Sequence, residues 1–184
     1  KRICLDSGYF QTFNRPNVTL VSLRETPIES ITEAGIRTSH EEIPLDVIVF
    51  ATGFDAITGA LLDIDIRGRR GLPLAEKWRG GPRTYLGLMT AGFPNLFMIV
   101  GPNTGLGHNS MIFMIESQVR YIMGAIKTMR AKRLRSVDVK PQAQADYNAR
   151  IQQMLGGTVW NTGGCKSWYL NAQGKNTTLW PTFT

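Results

Sequence analysis

Asn95-Leu-Phe-Met-Ile-Val-Gly-Pro-Asn-Thr-Gly-Leu-Gly-His-Asn-Ser-Met-Ile-Phe-Met-Ile115 carries the strongest fold information in the chain. Asn95–Val100, with its apolar run Leu96–Val100, is of strand length, introduced by Pro94 and ended by Gly101-Pro102. Such a run suits a strand buried on both faces, as in a parallel sheet. Residues 101–109 form a glycine-rich loop, and Ser110 then suits the N-cap of a helix. Met111, Ile112, Met114, Ile115, Val119, Ile122, Met123, Ile126 and Met129 recur at helical spacing, which predicts a helix over about 110–133. Glu116 and Arg120 add a favourable i,i+4 pair. Strand, glycine loop and helix in that order place free backbone N–H groups and the positive end of a helix dipole where a phosphate or a polarised carbonyl could bind.

The spacing Gly101-x-x-x-Gly105-x-Gly107 is neither the dinucleotide fingerprint G-x-G-x-x-G nor the lysine-bearing P-loop. Spacing alone therefore leaves the loop open between a ligand site and a structural turn. His108 lies in this loop without a visible Asp, Ser or Cys partner, so a hydrogen-bonding surface group is the plainer reading.

Upstream, Asp46–Ala51 is a second continuous apolar run and is expected to be a buried strand ending at Thr52-Gly53. Residues 17–21 suggest a short strand. Residues 29–38 suggest a hairpin that turns at Ala34-Gly35. Residues 55–92 are irregular, with turn signals at Gly68, Gly71-Leu72-Pro73 and Gly80-Gly81-Pro82. Downstream, Val137–Val139 suggests a short strand. Pro141 opens a helix that runs through Met154-Leu155 to Gly156-Gly157. The tail 166–180 is aromatic and turn-rich. These elements are too few to close a doubly wound sheet, and the chain opens without Met, so the sequence is expected to begin and end inside a larger α/β protein.

Composition excludes several classes. The 42% hydrophobic and 19% charged content is that of a globular protein. No apolar run approaches the roughly 20 residues of a membrane span. Cys4 and Cys165 lie far apart and outside any Cys/His cluster, which argues against zinc and for free thiols in a reducing cytoplasm. The net charge of +7 is concentrated in Lys127–Arg135, at the end of the long helix, where the dipole favours cations. No aromatics interleave with that run, which argues against a surface for single-stranded nucleic acid, and no nucleic-acid partner is expected.

Several segments together are more specific than any one. Asp46-Val-Ile-Val-Phe-Ala-Thr-Gly-Phe54 resembles the linker strand of class B flavoprotein monooxygenases, where an Ala-Thr-Gly step ends the NADP domain. Asp55-Ala-Ile-Thr-Gly-Ala-Leu61, Ile64-Asp-Ile-Arg-Gly68, Gly81-Pro-Arg-Thr-Tyr-Leu-Gly-Leu88 and Gly92-Phe-Pro-Asn-Leu-Phe97 resemble the Baeyer–Villiger branch. Cys165-x-Ser-Trp-Tyr169 and Gly174-Lys-Asn-Thr-Thr-Leu-Trp-Pro181 are similar to a subgroup of it. Neither G-x-G-x-x-G fingerprint nor the F-x-G-x-x-x-H-x-x-x-[WF]-[PD] signature of that branch occurs.

The resemblance implies an α/β fold that is part of a flavoprotein with two Rossmann-like dinucleotide-binding domains. Residues 1–45 would close the NADP(H)-binding domain. Residues 46–184 would form the C-terminal part of the FAD-binding domain, with substrate-cavity loops. It implies FAD and NADPH as cofactors, and a ketone and O2 as substrates, giving an ester or lactone through a C4a-peroxyflavin. Lys1 would read the 2′-phosphate of NADPH. Arg2, the catalytic residue, would lie over the flavin and stabilise developing negative charge. Met111 would contact the flavin, with Asn109 and Ser110 joining through their backbones. Trp168 would approach the NADP ligand and line the substrate cavity, and His108 would help shape that cavity. The stretch alone is expected not to run the reaction. Two other readings stay open: oxygenation of nitrogen or sulfur by a related enzyme, and a non-catalytic polyanion-binding module.

Overall fold

A computed structural model describes residues 5–53, 55–164 and 167–183. The chain divides into two compact units, one within Ile3–Phe54 and the other within Asp55–Thr184.

In the first unit, Asp6 accepts the backbone N–H groups of Gly8 and Tyr9 at 2.6 and 2.9 Å and so starts the single-turn helix α1 (Tyr9–Thr12). The expected hairpin is present and gains a third strand. β1 (Ile28–Ile31), β2 (Gly35–Thr38) and β3 (Glu42–Pro44) form an antiparallel sheet in the order β1-β2-β3. Ile36 stands opposite Ile31 on one side and Ile43 on the other. A side chain at Gly35 would collide with the carbonyl of Ile43, so glycine is needed there for the close approach of β3.

Two expected strands of this unit do not form. Residues 17–21 are a turn and irregular chain, and residues 46–51 carry no ladder hydrogen bonds. Val47, Val49 and Phe50 are 74, 81 and 69% exposed, the opposite of the burial expected of them. An apolar run specifies a strand only where a partner strand meets it, and none does among the described residues.

The second unit is built on helices: α2 (Gly59–Leu62), α3 (Leu74–Lys77), α4 (Met111–Ala131), α5 (Pro141–Gly156) and α6 (Val159–Thr162), with a tight turn at Arg69–Gly71. α4 and α5 match the periodicity and the proline and glycine punctuation of the sequence. One core packs Leu74, Trp78, Phe93 and Met98, with Ile66 and Leu96 against them. A second packs Ile151 and Leu155 of α5 against Leu179 of the tail, flanked by Tyr147, Trp160, Tyr169 and Trp180.

The expected strands 95–100 and 137–139 are absent as well. Asn95 and Val100 sit at φ +63° and +57°, conformations that no extended strand contains. The two segments still meet. The N–H of Asn95 donates to the Val137 carbonyl and Asn95 Oδ1 accepts the Val137 N–H, both at 3.0 Å. The asparagine side chain stands in for one rung of a ladder.

Candidate functional site

The loop 101–109 is fixed from three directions. From the turn at 84–91, Thr84 donates its hydroxyl to the Pro102 carbonyl at 3.1 Å. From α4, Gln118 accepts the Val100 N–H at 2.8 Å and donates to the Leu86 carbonyl at 3.3 Å. From the tail, Thr177, Thr178 and Trp180 exchange backbone bonds with the loop: Asn103 N–H to Thr177 O at 3.0 Å, Gly105 N–H to Thr178 O at 2.9 Å and Trp180 N–H to Gly105 O at 2.8 Å. Asn103 adds two side-chain bonds, to the carbonyls of Asn176 at 2.9 Å and Leu179 at 3.1 Å. The tail thus runs beside the loop as a short parallel bridge, Gly105 to Leu179.

Rigidity in the loop serves its exit. The Asn109 side chain accepts the Ser110 N–H at 2.7 Å, and α4 begins at Met111. Ser110 occupies the N-cap position but makes no side-chain cap bond, and the first turn carries no acidic residue. The positive end of a 21-residue helix is therefore left uncompensated by its own side chains. Met111 is half-buried there, so the helix end offers backbone donors beside an apolar surface. That combination suits an anion or a polarised carbonyl oxygen.

His108 precedes this exit. Its Nε2 meets the Thr182 carbonyl at 3.0 Å, and a carbonyl can only accept, so Nε2 carries the proton in that bond. The ring stacks on Trp160 with centroids 6.2 Å apart and meets Phe183 edge-on at 5.8 Å. Gly107 is required by the same packing, since a Cβ there would lie 2.6 Å from Trp160 Cζ2. His108 is thus a packing and hydrogen-bonding group of the loop.

The structure gathers Asn109, Ser110 and Met111 at one helix end. Trp168 belongs to a turn in the tail, 61% exposed, with its indole 4.6 Å from the Tyr169 ring and edge-on to it. Lys1 and Arg2 lie outside the described residues, as do Cys4 and Cys165. Among the described residues no His/Cys/Asp/Glu group could hold a metal ion, and no helix is long and apolar enough to cross a membrane. Sequence reading missed Asn103, Gln118, Gln144 and Asn148, all buried polar residues. A signal existed for three of them. Gln118 interrupts the apolar stripe of α4 between Met114 and Ile122, and Gln144 and Asn148 share a stripe with Ile151 and Leu155. A polar residue on an apolar stripe has a buried partner.

No family model matches the chain. It is 44% identical over 186 residues to a Baeyer–Villiger monooxygenase of Pseudomonas aeruginosa, covering all of this chain and 34% of that protein. Among solved structures, OTEMO in complex with FAD and NADP superposes with a TM-score of 0.81 at 32% identity, over 99% of this chain and 34% of that one. The closed crystal structure of cyclohexanone monooxygenase gives a TM-score of 0.81 at 38% identity, over 98% and 34%. The chain spans about a third of the length of the relatives it matches. Its fold is accordingly that of one part of an α/β flavoprotein with two dinucleotide-binding domains. Along its whole length the chain is similar to Baeyer–Villiger monooxygenases, which are flavoprotein monooxygenases about three times as long.

Proposed function

We propose that the protein carrying this chain inserts one oxygen atom of O2 into a ketone to give an ester or lactone, using FAD and NADPH. The other oxygen atom leaves as water, and NADPH supplies the two electrons and becomes NADP+. The observation that carries this reading is the 44% identity, along the whole chain, to a protein named for that reaction. The uncapped start of α4 supports it from the side of the geometry.

When bound, FAD supplies the redox chemistry with oxygen. This chain's residues supply position and charge. Backbone groups at Asn109 and Ser110, at the start of α4, would hold the electron-rich edge of the ring, and Met111 would pack against it. Lys1 binds the 2′-phosphate of NADPH, where a point charge suffices. Arg2 faces the reacting centre and stabilises negative charge as it develops, and it is the catalytic residue of this stretch. Trp168 closes the cavity over the nicotinamide ligand and the ketone, and excludes water. Residues 1–45 finish the NADP(H)-binding domain and 46–184 contribute to the FAD-binding domain. Two cysteines distant in sequence support a reducing cytoplasm as its compartment.

The intact protein, supplied with FAD, NADPH and cyclohexanone, should consume NADPH and O2 and yield the lactone by mass spectrometry. Arg2→Ala should abolish lactone while leaving FAD bound. Sulfoxide from a thioether with no lactone from any ketone would transfer the assignment to heteroatom oxygenation. A colourless protein inert to NADPH would end the flavin reading altogether.

A further inference from the structure

A cleft of about 760 Å3 lies between α5, the turn at Gly80–Arg83 and the tail at Lys175. It uses none of Asn109, Ser110, Met111 or Trp168. Three cations line it, Lys77, Arg83 and Lys175, and among the described residues no Asp or Glu does. Gln144 and Asn148 of α5 form part of its wall. Gln144 uses its acceptor on the Ala91 N–H at 2.6 Å, so the end of its amide left for a ligand is the donor. Asn148 uses its donors on the carbonyls of Thr84 and Gln144, both at 2.7 Å, and keeps an acceptor. Gly81, at φ +100°, brings bare backbone to the opposite wall, where a Cβ would lie 3.1 Å from Asn171 Nδ2.

Like charges gathered without a counter-ion are unfavourable. The Lys175 ammonium is pushed below its ordinary value, first by burial and then by the charge of Arg83. The cleft also includes Pro141, at the N-terminal end of the 16-residue helix α5, whose first turn carries no acidic residue. Its dipole adds positive potential to the same space. A multiply charged anion would relieve all of these at once. The volume falls in the roughly 300–1,000 Å3 range of small-molecule sites, which fits a compact ligand rather than the open stripe that a nucleic acid needs.

We infer that this cleft binds a phosphate-bearing small molecule, held by Arg83 and Lys175, with Lys77 at its rim.

The test is calorimetric titration of pyrophosphate into the intact, FAD-loaded protein, with one equivalent of NADP+ already bound. Saturable binding is expected with one site per chain. Arg83→Gln and Lys175→Gln should each weaken it at least tenfold. Arg150→Gln, an exposed cation of α5 that does not line the cleft, should leave it unchanged. Circular dichroism melting checks each variant's fold, and Lys77→Gln carries the same expectation, with a smaller loss, if Arg83→Gln fails to fold. The absence of saturable heat overturns the inference. So does equal weakening by all the variants, Arg150→Gln included, because that would report net charge alone.

Discussion

Gln118 Oε1 accepts the backbone N–H of Val100 at 2.8 Å, and Val100 sits at φ +57°, a conformation that β-branched residues avoid. The other end of the same amide donates to Leu86, itself at φ +56°. One buried side chain thus pins two strained positions, Leu86 and Val100, the second at the entry to the loop that leads to α4. Gln118→Leu keeps the volume and strands a buried N–H and a carbonyl, for a loss of about 2–4 kcal/mol. Val100→Gly removes the strain along with the side chain, and the two effects should offset to within about 1 kcal/mol of the wild type. Urea unfolding of the intact protein measures both. A larger loss for Val100→Gly than for Gln118→Leu would show that the strain is not borne there.

Asn103 ties the loop to the tail, and two of its properties separate cleanly. Its side chain bonds the Asn176 and Leu179 carbonyls, and its backbone sits at φ +60°. Asn103→Gly loses the first property and keeps the second, whereas Asn103→Ala loses both. Both variants should be destabilised, with Asn103→Ala the worse by about 1 kcal/mol, the usual left-handed penalty for a residue with a Cβ. Thermal denaturation of the two variants side by side gives the difference. Equal melting temperatures would count against a left-handed Asn103.

The small sheet has a carboxylate whose titration can be read directly. Glu42 lies below its ordinary 4.5, first because the Thr32 hydroxyl donates to it at 2.5 Å and then because Arg37 pairs with it at 3.2 Å. A depressed folded value means that the contribution to stability is present above the unfolded value and is lost as pH falls through the folded one. Glu42 is an exposed side chain, so the effect on stability is small. Carbon NMR of the Glu42 carboxyl should give a midpoint below 4.5. Thr32→Val should move it up by more than Arg37→Gln does. A midpoint at or above 4.5 in the wild type would remove both contacts from the solution structure.

What sequence could and could not convey follows from the range of each interaction. The helix over Met111–Ala131 was legible because its apolar spacing is local, and α5 because Pro141 and Gly156-Gly157 bracket it. The hairpin was legible from Ala34-Gly35, although the glycine serves the third strand's approach as well as the turn. Asp46–Ala51 and Asn95–Val100 misled because an apolar run states a wish for burial without naming a partner. Nothing local marks Val100 as left-handed, and Asn95 alone hints at it. At the site, the helix start at Ser110 was legible, whereas the clamp through Asn103 and Gln118 joins residues tens of positions apart. The roles of Lys1, Arg2 and Trp168 came from family resemblance, because two adjacent cations or one exposed indole have no chemistry of their own to announce.

The uncapped start of α4 sets stability against ligand binding, and a single substitution opposes the two. Ser110 makes no side-chain cap bond, and the first turn has no acid to answer the dipole. If the helix end were merely structural, Ser110→Asp would be an improvement, because an acidic cap stabilises a helix by about 0.5–1 kcal/mol. If that end holds the electron-rich edge of FAD, the added carboxylate caps the neighbouring N–H groups of Ile112 and Phe113, cancels the positive end of the dipole and repels the ring. The expected result is a flavin-free protein that melts slightly higher and an FAD affinity at least tenfold lower, with Ser110→Ala close to wild type in both. Fluorescence titration of FAD with the reconstituted protein supplies the affinity, and scanning calorimetry of the flavin-free form supplies the stability. A Ser110→Asp variant that gains stability and binds FAD as before would place the flavin elsewhere.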